Sequence, residues 1–267
     1  MSILVAGHYC HDTVLGNAST HHTLGGSAAY ASAILEALGE PHEVVAKVGA
    51  DFLHGALVSH PPRLVPGRTT AFVDDYRGPE RRERVEAVAP AIEPDDLSGT
   101  FDVGLACGIA GEVPPRTLDR MRRICRVLIA DAQSVLREIS PDGQVLLRAP
   151  PLEMLQRLDI LKASRKEAEV LDLPALRRKI DVVVTDGPAG CTILRAGAQI
   201  RVEAFPAREK DPTGAGDCFA AGLAAGLARG LSIERAARLG AFCGARAVEH
   251  VGVPRLTPEE LRAAPVP

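Results

Sequence analysis

The chain has 267 residues, of which 46% are hydrophobic and 24% charged, and its net charge is −3 at pH 7. Length and composition fit one large globular domain with at most a small accessory element. The slightly negative net charge provides no overall positive potential that would attract nucleic acid. An aromatic content of 3% leaves few side chains on which bases could stack. No segment approaches the roughly 18 consecutive apolar residues of a membrane helix. We therefore expect neither nucleic acid nor a membrane as a partner.

The cysteines and the start of the chain indicate a compartment. The six cysteines are widely spaced and form no C-x-x-C pair, and several lie in apolar runs. The first residues lack the basic region and the long apolar run of a signal peptide. Buried free thiols in a reducing, cytoplasmic environment are the simplest expectation.

The N-terminal part of the chain predicts a strand, a helix and a small separate sheet. The helix begins behind Gly25-Gly26, a pair that permits either a close backbone approach to a ligand or simply a tight turn. Thr13–Leu24 is predicted to be a hairpin, and two strands flank the charged turn Asp75–Glu83. Together these segments predict a lid from about 13–24 and 69–90. The elements are the strand Ile3–Gly7, the helix Ser27–Leu38 and the strands Glu43–Val48, Thr69–Asp74 and Arg84–Val88.

From Phe101 onward, strands and helices alternate along the chain. Such alternation implies a mainly parallel sheet covered by helices on both faces. The strands are predicted at Phe101–Cys107, Val127–Asp131, Ile160–Ala163, Asp181–Thr185 and Cys191–Leu194. The helices are predicted at Pro115–Arg123, Gln133–Glu138, Leu152–Leu158, from Ser164 to near Leu171, and at Ile233–Glu249.

The run Asp211–Phe219 (DPTGAGDCF) carries the most specific chemistry in the sequence. Apolar and small residues recur behind it at helical spacing, so a helix is expected to begin near Gly214. The small residues of 214–216 let backbone N–H groups approach a ligand, and the positive end of the helix favours an anion there. Asp217 would place a second negative charge beside this anion, and the two would repel each other. Such a carboxylate is expected only if it takes part in the reaction, by acting on the group that attacks the anion. Close helix packing is the alternative explanation of the small residues.

Two further acidic residues have both a functional and a structural interpretation. Asp12 follows the first strand, at the kind of strand end where ligands bind in open α/β sheets, and is a candidate acceptor for substrate hydroxyls. A turn or capping role is its alternative. A metal cluster of His8, Cys10, His11 and Asp12 is disfavoured because no partner cluster with zinc spacing follows. Glu167 stands three residues after Ser164, the spacing of a helix capping box.

The sequence resembles the ribokinase-like (PfkB) carbohydrate kinase family from Ile3 to about Pro254. The resemblance rests on Gly25-Gly26, on Asp186-Gly187-x-x-Gly190 and above all on Asp211–Asp217. It implies one domain over residues 1–267, with the fold of a three-layer α/β/α sandwich and a β-lid. It also implies ATP-dependent phosphorylation of an alcohol. Several stretches are similar to the myo-inositol kinase branch: 7–12, 23–26, 47–52, 110–112, 161–164 and 248–252.

The resemblance implies roles for individual residues. Asp217 matches the catalytic base, and Gly214, Ala215 and Gly216 match the hole that holds the transferred phosphoryl group. Glu167 matches the acidic end of the motif that organises Mg²⁺ through water, with Ser164 at the position of the family's Asn. Nucleotide contacts are implied at Thr185, Gly187, Gly190, Thr213, Ala245, Val248 and Gly252.

The residues expected near the acceptor favour a polyol. Tyr30 stands where many sugar kinases carry a substrate-binding Asn, which weakens an assignment to ribose or fructose. We expect myo-inositol or a close cyclitol as acceptor, and a homodimer formed through the lid. A kinase for another sugar or a nucleoside, and a non-catalytic regulator on the same fold, are the alternatives. Lys47 is either a substrate contact or an ordinary solvated lysine. The substrate-side candidates are Asp12, Gly25, Gly26, Lys47 and Asp51.

Overall fold

The computed structural model describes residues 2–16, 20–75, 77–78 and 82–265. The strands are β1 (Ile3–Ala6), β2 (Cys10–Leu15), β3 (Thr20–Gly25), β4 (His42–Val45), β5 (Lys47–Val48), β6 (Arg63–Leu64), β7 (Thr70–Asp75), β8 (Arg82–Ala87), β9 (Phe101–Ala106), β10 (Cys125–Asp131), β11 (Arg137–Ile139), β12 (Val145–Leu147), β13 (Ile160–Ser164), β14 (Asp181–Thr185), β15 (Cys191–Arg195) and β16 (Ala198–Val202). The helices are α1 (Ser27–Ala37), α2 (Pro115–Ile124), α3 (Gln133–Leu136), α4 (Leu152–Leu155), α5 (Arg165–Ala168), α6 (Leu173–Leu176), α7 (Ala215–Ala228), α8 (Ile233–Ala247) and α9 (Pro258–Leu261).

An eight-stranded sheet in the order β16-β15-β14-β13-β10-β9-β1-β4 forms the centre of the molecule. The strands from β4 to β14 pair in parallel, and β15 and β16 continue the sheet antiparallel. In β1, Val5 lies opposite Val44 on one side and Leu105 on the other. The predicted mainly parallel sheet is confirmed.

Apolar side chains on the two faces of the sheet belong to two separate clusters. Ile3 and Val5 pack into the cluster that includes α1, α7 and α8, whereas Leu4 packs into the cluster that includes α2. This alternation follows from the two-residue repeat of a strand. Because helices cover both faces, the predicted three-layer α/β/α sandwich is confirmed.

Glycines hold α7 close to α8 and so fix the position of the α7 N-terminus. A Cβ added at Gly226 would lie 2.6 Å from the Cα of Ala236, and one added at Gly222 would lie 2.9 Å from the Cα of Gly240. Side chains at these positions would separate the helices. The packing interpretation of small residues therefore holds for the middle of α7, behind the motif.

A separate four-stranded sheet in the order β3-β2-β7-β8 contains the segments that were predicted as the lid, and we call this sheet the lid. Strands β2 and β3 make the predicted hairpin, β7 and β8 pair antiparallel, and β2 joins the two pairs by parallel pairing with β7. The lid strand β2 begins at Cys10, so Asp12 lies within a strand and not in a loop as expected. The tip of the predicted hairpin (17–19), part of the predicted turn (76 and 79–81) and the ends of the predicted domain (1 and 266–267) lie outside the described residues.

Several short elements differ from the prediction because long-range pairing determines them. The expected strand Glu43–Val48 is divided at Ala46, and its second part, β5, pairs with β6. The expected helix over 133–138 ends at Leu136 because the chain turns into β11, which pairs with β12. The helices α4 and α5 are single turns, shorter than predicted. Strand β16 and helices α6 and α9 were not predicted.

Within the described ranges, no helix is both long and apolar enough to cross a membrane. All six cysteines are buried and free, as predicted.

Candidate active site

A cavity of about 270 Å³ lies between the lid and the carboxyl ends of the central strands. Lid strands contribute Asp12, Phe72 and Asp74 to its wall, and the central strands contribute Asp131 and Lys162. The N-terminus of α7 closes its base. The cavity is therefore at the edge of the sheet where ligands bind in open parallel α/β folds.

The sequence around Gly214 lets α7 begin against the cavity. Gly214 is the N-cap and has a φ of 72°, a left-handed conformation that favours glycine. A Cβ there would lie 2.1 Å from a ring atom of Tyr30, so the ring of Tyr30 occupies the space beside the helix end. Gly214 and Gly216 both line the cavity. N–H groups at a helix N-terminus lack partners within the helix and favour an anion at this position, although that of Ala215 donates to the carbonyl oxygen of Pro212 at 3.3 Å.

Asp217 lies in the first turn of α7 and faces the same cavity. Its Oδ1 accepts a hydrogen bond of 2.8 Å from Nε2 of Gln133, which also donates to Oγ of Ser27 at 2.8 Å. Burial raises the pKa of Asp217, while the charge of Lys162 and the hydrogen bond from Ser27 act in the opposite direction. The carboxylate is oriented by an amide and is more basic than usual, which suits a general base.

A buried ion pair, which the sequence analysis did not identify as part of the site, completes the base of the cavity. Lys162 and Asp131 are 4% and 1% exposed, and Nζ lies 2.8 Å from Oδ2. Burial acts to lower the pKa of Lys162, but nearby carboxylates, foremost Asp131, raise it above the usual value. Burial raises the pKa of Asp131 to about 6. Lys162 is therefore held in its charged form.

The ammonium group of Lys162 lies beside the predicted anion hole. A Cβ added at Gly216 would be 2.7 Å from Nζ, so the glycine makes room for the cation. The register of the sheet explains the ion pair, because Asp131 at the end of β10 lies opposite Lys162 of β13. The sequence feature that could have identified Lys162 as a site residue is its position inside the otherwise apolar run Ile160–Ala163.

Glu167 forms the predicted capping box and also lines the cavity. Its Oε2 accepts hydrogen bonds of 2.7 Å from both the backbone N–H and Oγ of Ser164, and Oγ accepts from the Glu167 N–H at 3.3 Å. Asp131 and Asp217 contribute further carboxylates to the same wall. Hard oxygen donors of this kind are the ligands that Mg²⁺ prefers. Donors of this kind fit Mg²⁺, which Glu167 would hold through water, as the resemblance implies.

Of the substrate-side candidates, Asp12 and Gly26 line the cavity. Asp12 accepts from Sγ of Cys10 at 2.9 Å, and its carboxylate lies against the Cα of Gly25, where a Cβ would be 1.8 Å from Oδ2. Gly26 has a φ of 90°, and a Cβ there would lie 2.3 Å from the carbonyl oxygen of His8. These glycines let the start of α1 approach the lid strand that carries Asp12.

The other three substrate-side candidates, Gly25, Lys47 and Asp51, lie outside the cavity wall. Oδ1 of Asp51 accepts from the N–H and Oγ1 of Thr69 at 2.8 and 2.7 Å. Burial acts to raise the pKa of Asp51, but these hydrogen bonds hold it below the usual value. Nζ of Lys47 lies 2.5 Å from Oδ2 of Asp96 and donates to the carbonyl of Ala91 at 2.7 Å. Lys47 is 7% exposed and is thus not the solvated lysine considered above. Contact between the substrate and Lys47 or Asp51 remains a prediction. The location of both side chains outside the cavity wall does not favour it.

The predicted nucleotide residues lie at and after the end of β14, just before α7, and in the last turn of α8 and the segment that follows it. Thr185 ends β14, and Gly187 and Gly190 follow in a turn with φ values of 49° and 87°. Asp211 joins the motif to the segment after α8, because its two carboxylate oxygens accept from the N–H groups of Thr213 (2.9 Å) and Gly252 (3.0 Å). Thr213 lines the cavity. The other predicted nucleotide residues lie outside the wall of the cavity: Thr185, Gly187, Gly190, Ala245, Val248 and Gly252. Their contact with a nucleotide remains a prediction.

Comparison with known proteins identifies the class and then the family. Among solved structures, the fold is similar to a pyrophosphate-dependent kinase in the ribokinase family complexed with a pyrophosphate analog and myo-inositol, with a TM-score of 0.81, 22% identity and coverage of 98% of this chain and 99% of that one. The ribokinase of Thermotoga maritima gives a TM-score of 0.77 at 21% identity and covers 98% of both chains. The fold is thus ribokinase-like.

Sequence relatives extend over nearly the whole chain. It is 42% identical to the inositol 3-kinase of Zea mays over 97% of this chain and 75% of that protein. It is 43% identical to the inositol 3-kinase of Oryza sativa subsp. japonica over 97% of this chain and 71% of that protein. The family model for pfkB family carbohydrate kinases matches residues 82–260. The chain belongs to the pfkB family of carbohydrate kinases and is a phosphotransferase that acts on a hydroxyl group, as the sequence resemblance implied.

Proposed function

We propose that this kinase transfers a phosphoryl group from ATP, with Mg²⁺, to a hydroxyl of myo-inositol or a close cyclitol. The observation that carries the proposal is the position of Asp217, whose oriented carboxylate faces a polar cavity at the anion-binding end of α7. Three relatives of 37–43% identity are inositol 3-kinases. The lid, the cavity and the anion hole together suit a small polyol and a phosphate.

The transfer follows from the arrangement around Asp217. The acceptor hydroxyl lies within reach of the carboxylate, which takes its proton as the oxygen attacks the terminal phosphorus of the donor. The bond between that phosphorus and the bridging oxygen breaks, and the bridging oxygen leaves with its electron pair on ADP. Gln133 orients the carboxylate through its 2.8 Å hydrogen bond, and the raised pKa of Asp217 favours proton uptake.

Charge stabilisation is the second requirement of phosphoryl transfer. Gly214 and Gly216 at the start of α7 line the cavity together with Asp217, and the ammonium of Lys162 lies beside Gly216. Asp131 fixes the ammonium in position and keeps it charged. Bound Mg²⁺ supplies further positive charge to the phosphates, and Glu167 would hold it through water.

The lining of the cavity favours a cyclitol as acceptor. A cyclitol presents only hydroxyl groups, so its site needs polar partners on rigid elements. Carboxylates of the lid, such as Asp12 and Asp74, line the cavity together with Gln133 and Arg137. Among the described residues of its wall, the aromatic side chains are Tyr30 and Phe72. This leaves little flat apolar surface for the base of a nucleoside.

A panel of acceptors tests the proposal. Purified enzyme is incubated with ATP, Mg²⁺ and one inositol, hexose, pentose or nucleoside at a time, and ADP release is followed against reactions without acceptor. Pyrophosphate replaces ATP in a parallel series, in which phosphate release is measured. The proposal expects the highest kcat/KM with myo-inositol and ATP. A hexose or nucleoside used at least tenfold better than every inositol would overturn the acceptor, and higher kcat/KM with pyrophosphate would overturn the donor.

A further inference from the structure

A second cluster of polar side chains lies at the edge of the central sheet, apart from the catalytic cavity. Glu36 belongs to the last turn of α1, His42 begins the outermost strand β4, and His60 lies in the connection between β5 and β6. One nitrogen or oxygen of each side chain lies within 4.8 Å of those of the other two. The ring centres of His42 and His60 are 4.3 Å apart. Three potential metal ligands thus converge from three segments.

The hydrogen bonds of His42 determine which of its nitrogens is available. Nδ1 lies 2.8 Å from the carbonyl oxygen of Glu40, which only accepts, so Nδ1 carries the proton. In the neutral ring, the form that binds metals, Nε2 then carries no proton. Nε2 therefore presents a lone pair towards the cluster. A histidine whose far nitrogen donates to a backbone carbonyl is typical of metal sites.

The cluster has more acceptors than protons. Oγ of Ser32 lies 2.9 Å from Nε2 of His42 and 3.2 Å from Oε1 of Glu36. A hydroxyl has one proton and can donate to only one of these two acceptors. In the part of the chain that the structure describes, no lysine or arginine forms an ion pair with Glu36. A cation at this point would satisfy both acceptors.

We propose that Glu36, His42 and His60 form a binding site for a divalent transition-metal ion such as Zn²⁺. Two imidazoles and one carboxylate, with water in the fourth position, are a common ligand set for zinc. Mg²⁺ prefers oxygen ligands, so this site is chemically distinct from the one near Glu167. The ion would link the end of α1, the edge strand and the connection that follows β5.

The surroundings allow the ion to enter and the ligands to close on it. Glu36 is exposed, and with Ser32 and Ser59 it lines a second cavity of about 670 Å³. Metal–ligand distances of about 2.0–2.2 Å require the ligand atoms to approach one another by roughly 1 Å. The carbonyl of His60 is already held by the hydroxyl of Tyr9 at 3.0 Å.

Zinc titration of the full-length protein tests the site. Protein is treated with EDTA, the chelator is removed, and Zn²⁺ is titrated against a chromophoric competitor with excess Mg²⁺ present to occupy oxygen sites. We expect one Zn²⁺ per chain and an increase in the melting temperature. Glu36→Gln and His60→Ala should each weaken binding at least tenfold, because even loss of a residue that supports a metal ligand costs about 10–100-fold. His54→Ala removes another half-exposed histidine from the same connection and should bind zinc like the wild type.

Two results would overturn the proposal. One is the absence of saturable Zn²⁺ binding by the wild-type protein. The other is unchanged affinity in Glu36→Gln, which is nearly isosteric, alters an exposed side chain and should fold even if His60→Ala does not. Binding is measured without substrate, so failure here leaves the proposed kinase activity unaffected, and loss of that activity leaves this site unaffected.

Discussion

Replacement of Lys162 tests whether the buried ion pair serves catalysis or only the fold. Lys162→Met removes the ammonium that lies beside Gly216 and leaves Asp131 buried without its partner at 2.8 Å. Loss of one preorganised donor at developing charge costs about 10²–10³ in kcat, or about 2.7–4 kcal/mol. Breaking a buried pair from one side also costs about 3–5 kcal/mol of stability. We therefore expect both kcat and the free energy of unfolding to fall.

A double variant separates these two effects. In Lys162→Met with Asp131→Asn, neither charge remains, so most of the stability should return. The rate should not return, because the charge at the anion hole is still missing. Initial rates at saturating substrate and urea unfolding of the wild type, both single variants and the double variant form a complete cycle. A double variant with near-normal kcat would refute a catalytic role for Lys162.

Three further predictions concern the metal, the acceptor and assembly. Glu167→Ala should raise the Mg²⁺ concentration for half-maximal rate and cost about 1 kcal/mol of stability through the lost capping interaction; an unchanged Mg²⁺ dependence would leave Glu167 as a capping residue only. Asp12→Ala should lower kcat/KM for myo-inositol by about 10–100-fold, as expected for 1–3 kcal/mol from a lost hydroxyl partner, with little change in the KM for ATP. Asp51→Ala is the control variant for Asp12→Ala. It should lower stability through the lost hydrogen bonds with Thr69 but leave kcat/KM for myo-inositol nearly unchanged. A fall in kcat/KM as large as that of Asp12→Ala would indicate that Asp51 is a substrate ligand. The lid should form a homodimer, and light scattering at micromolar concentration that gives the monomer mass would reject this.

The sequence was most informative where local rules determine the structure. The start of α7 at Gly214 follows from the small residues and the helical spacing behind them. The capping box at Ser164 and Glu167 is a local motif, and the structure contains it. The parallel strands of the central sheet were predicted because buried parallel strands are continuous apolar runs, whereas the antiparallel edge strand β16 was not.

What the sequence could not show depends on contacts between distant segments. Gln133 reaches Asp217 across 84 residues of sequence, and it lies in a segment that periodicity alone assigned to a longer helix. Lys162 meets Asp131 because β10 and β13 are neighbours in register, and both meet Gly216 only in the folded chain. Lys47 was expected near the substrate or in solvent, but its partner Asp96 comes from a turn 49 residues away. Propensity and spacing contain no information on such pairings.

Single-turnover phosphorylation of myo-inositol by Asp217→Asn tests the central claim most directly. The variant keeps the shape of the side chain but cannot accept the proton. Excess enzyme is mixed with limiting ATP, Mg²⁺ and myo-inositol, and inositol phosphate is quantified over time, while nucleotide affinity is measured separately. We expect the rate to fall about 10²–10⁴-fold, the range for loss of a general base, with nucleotide affinity close to that of the wild type. Formation of inositol phosphate at a near-normal rate would contradict the assignment of Asp217 as the base.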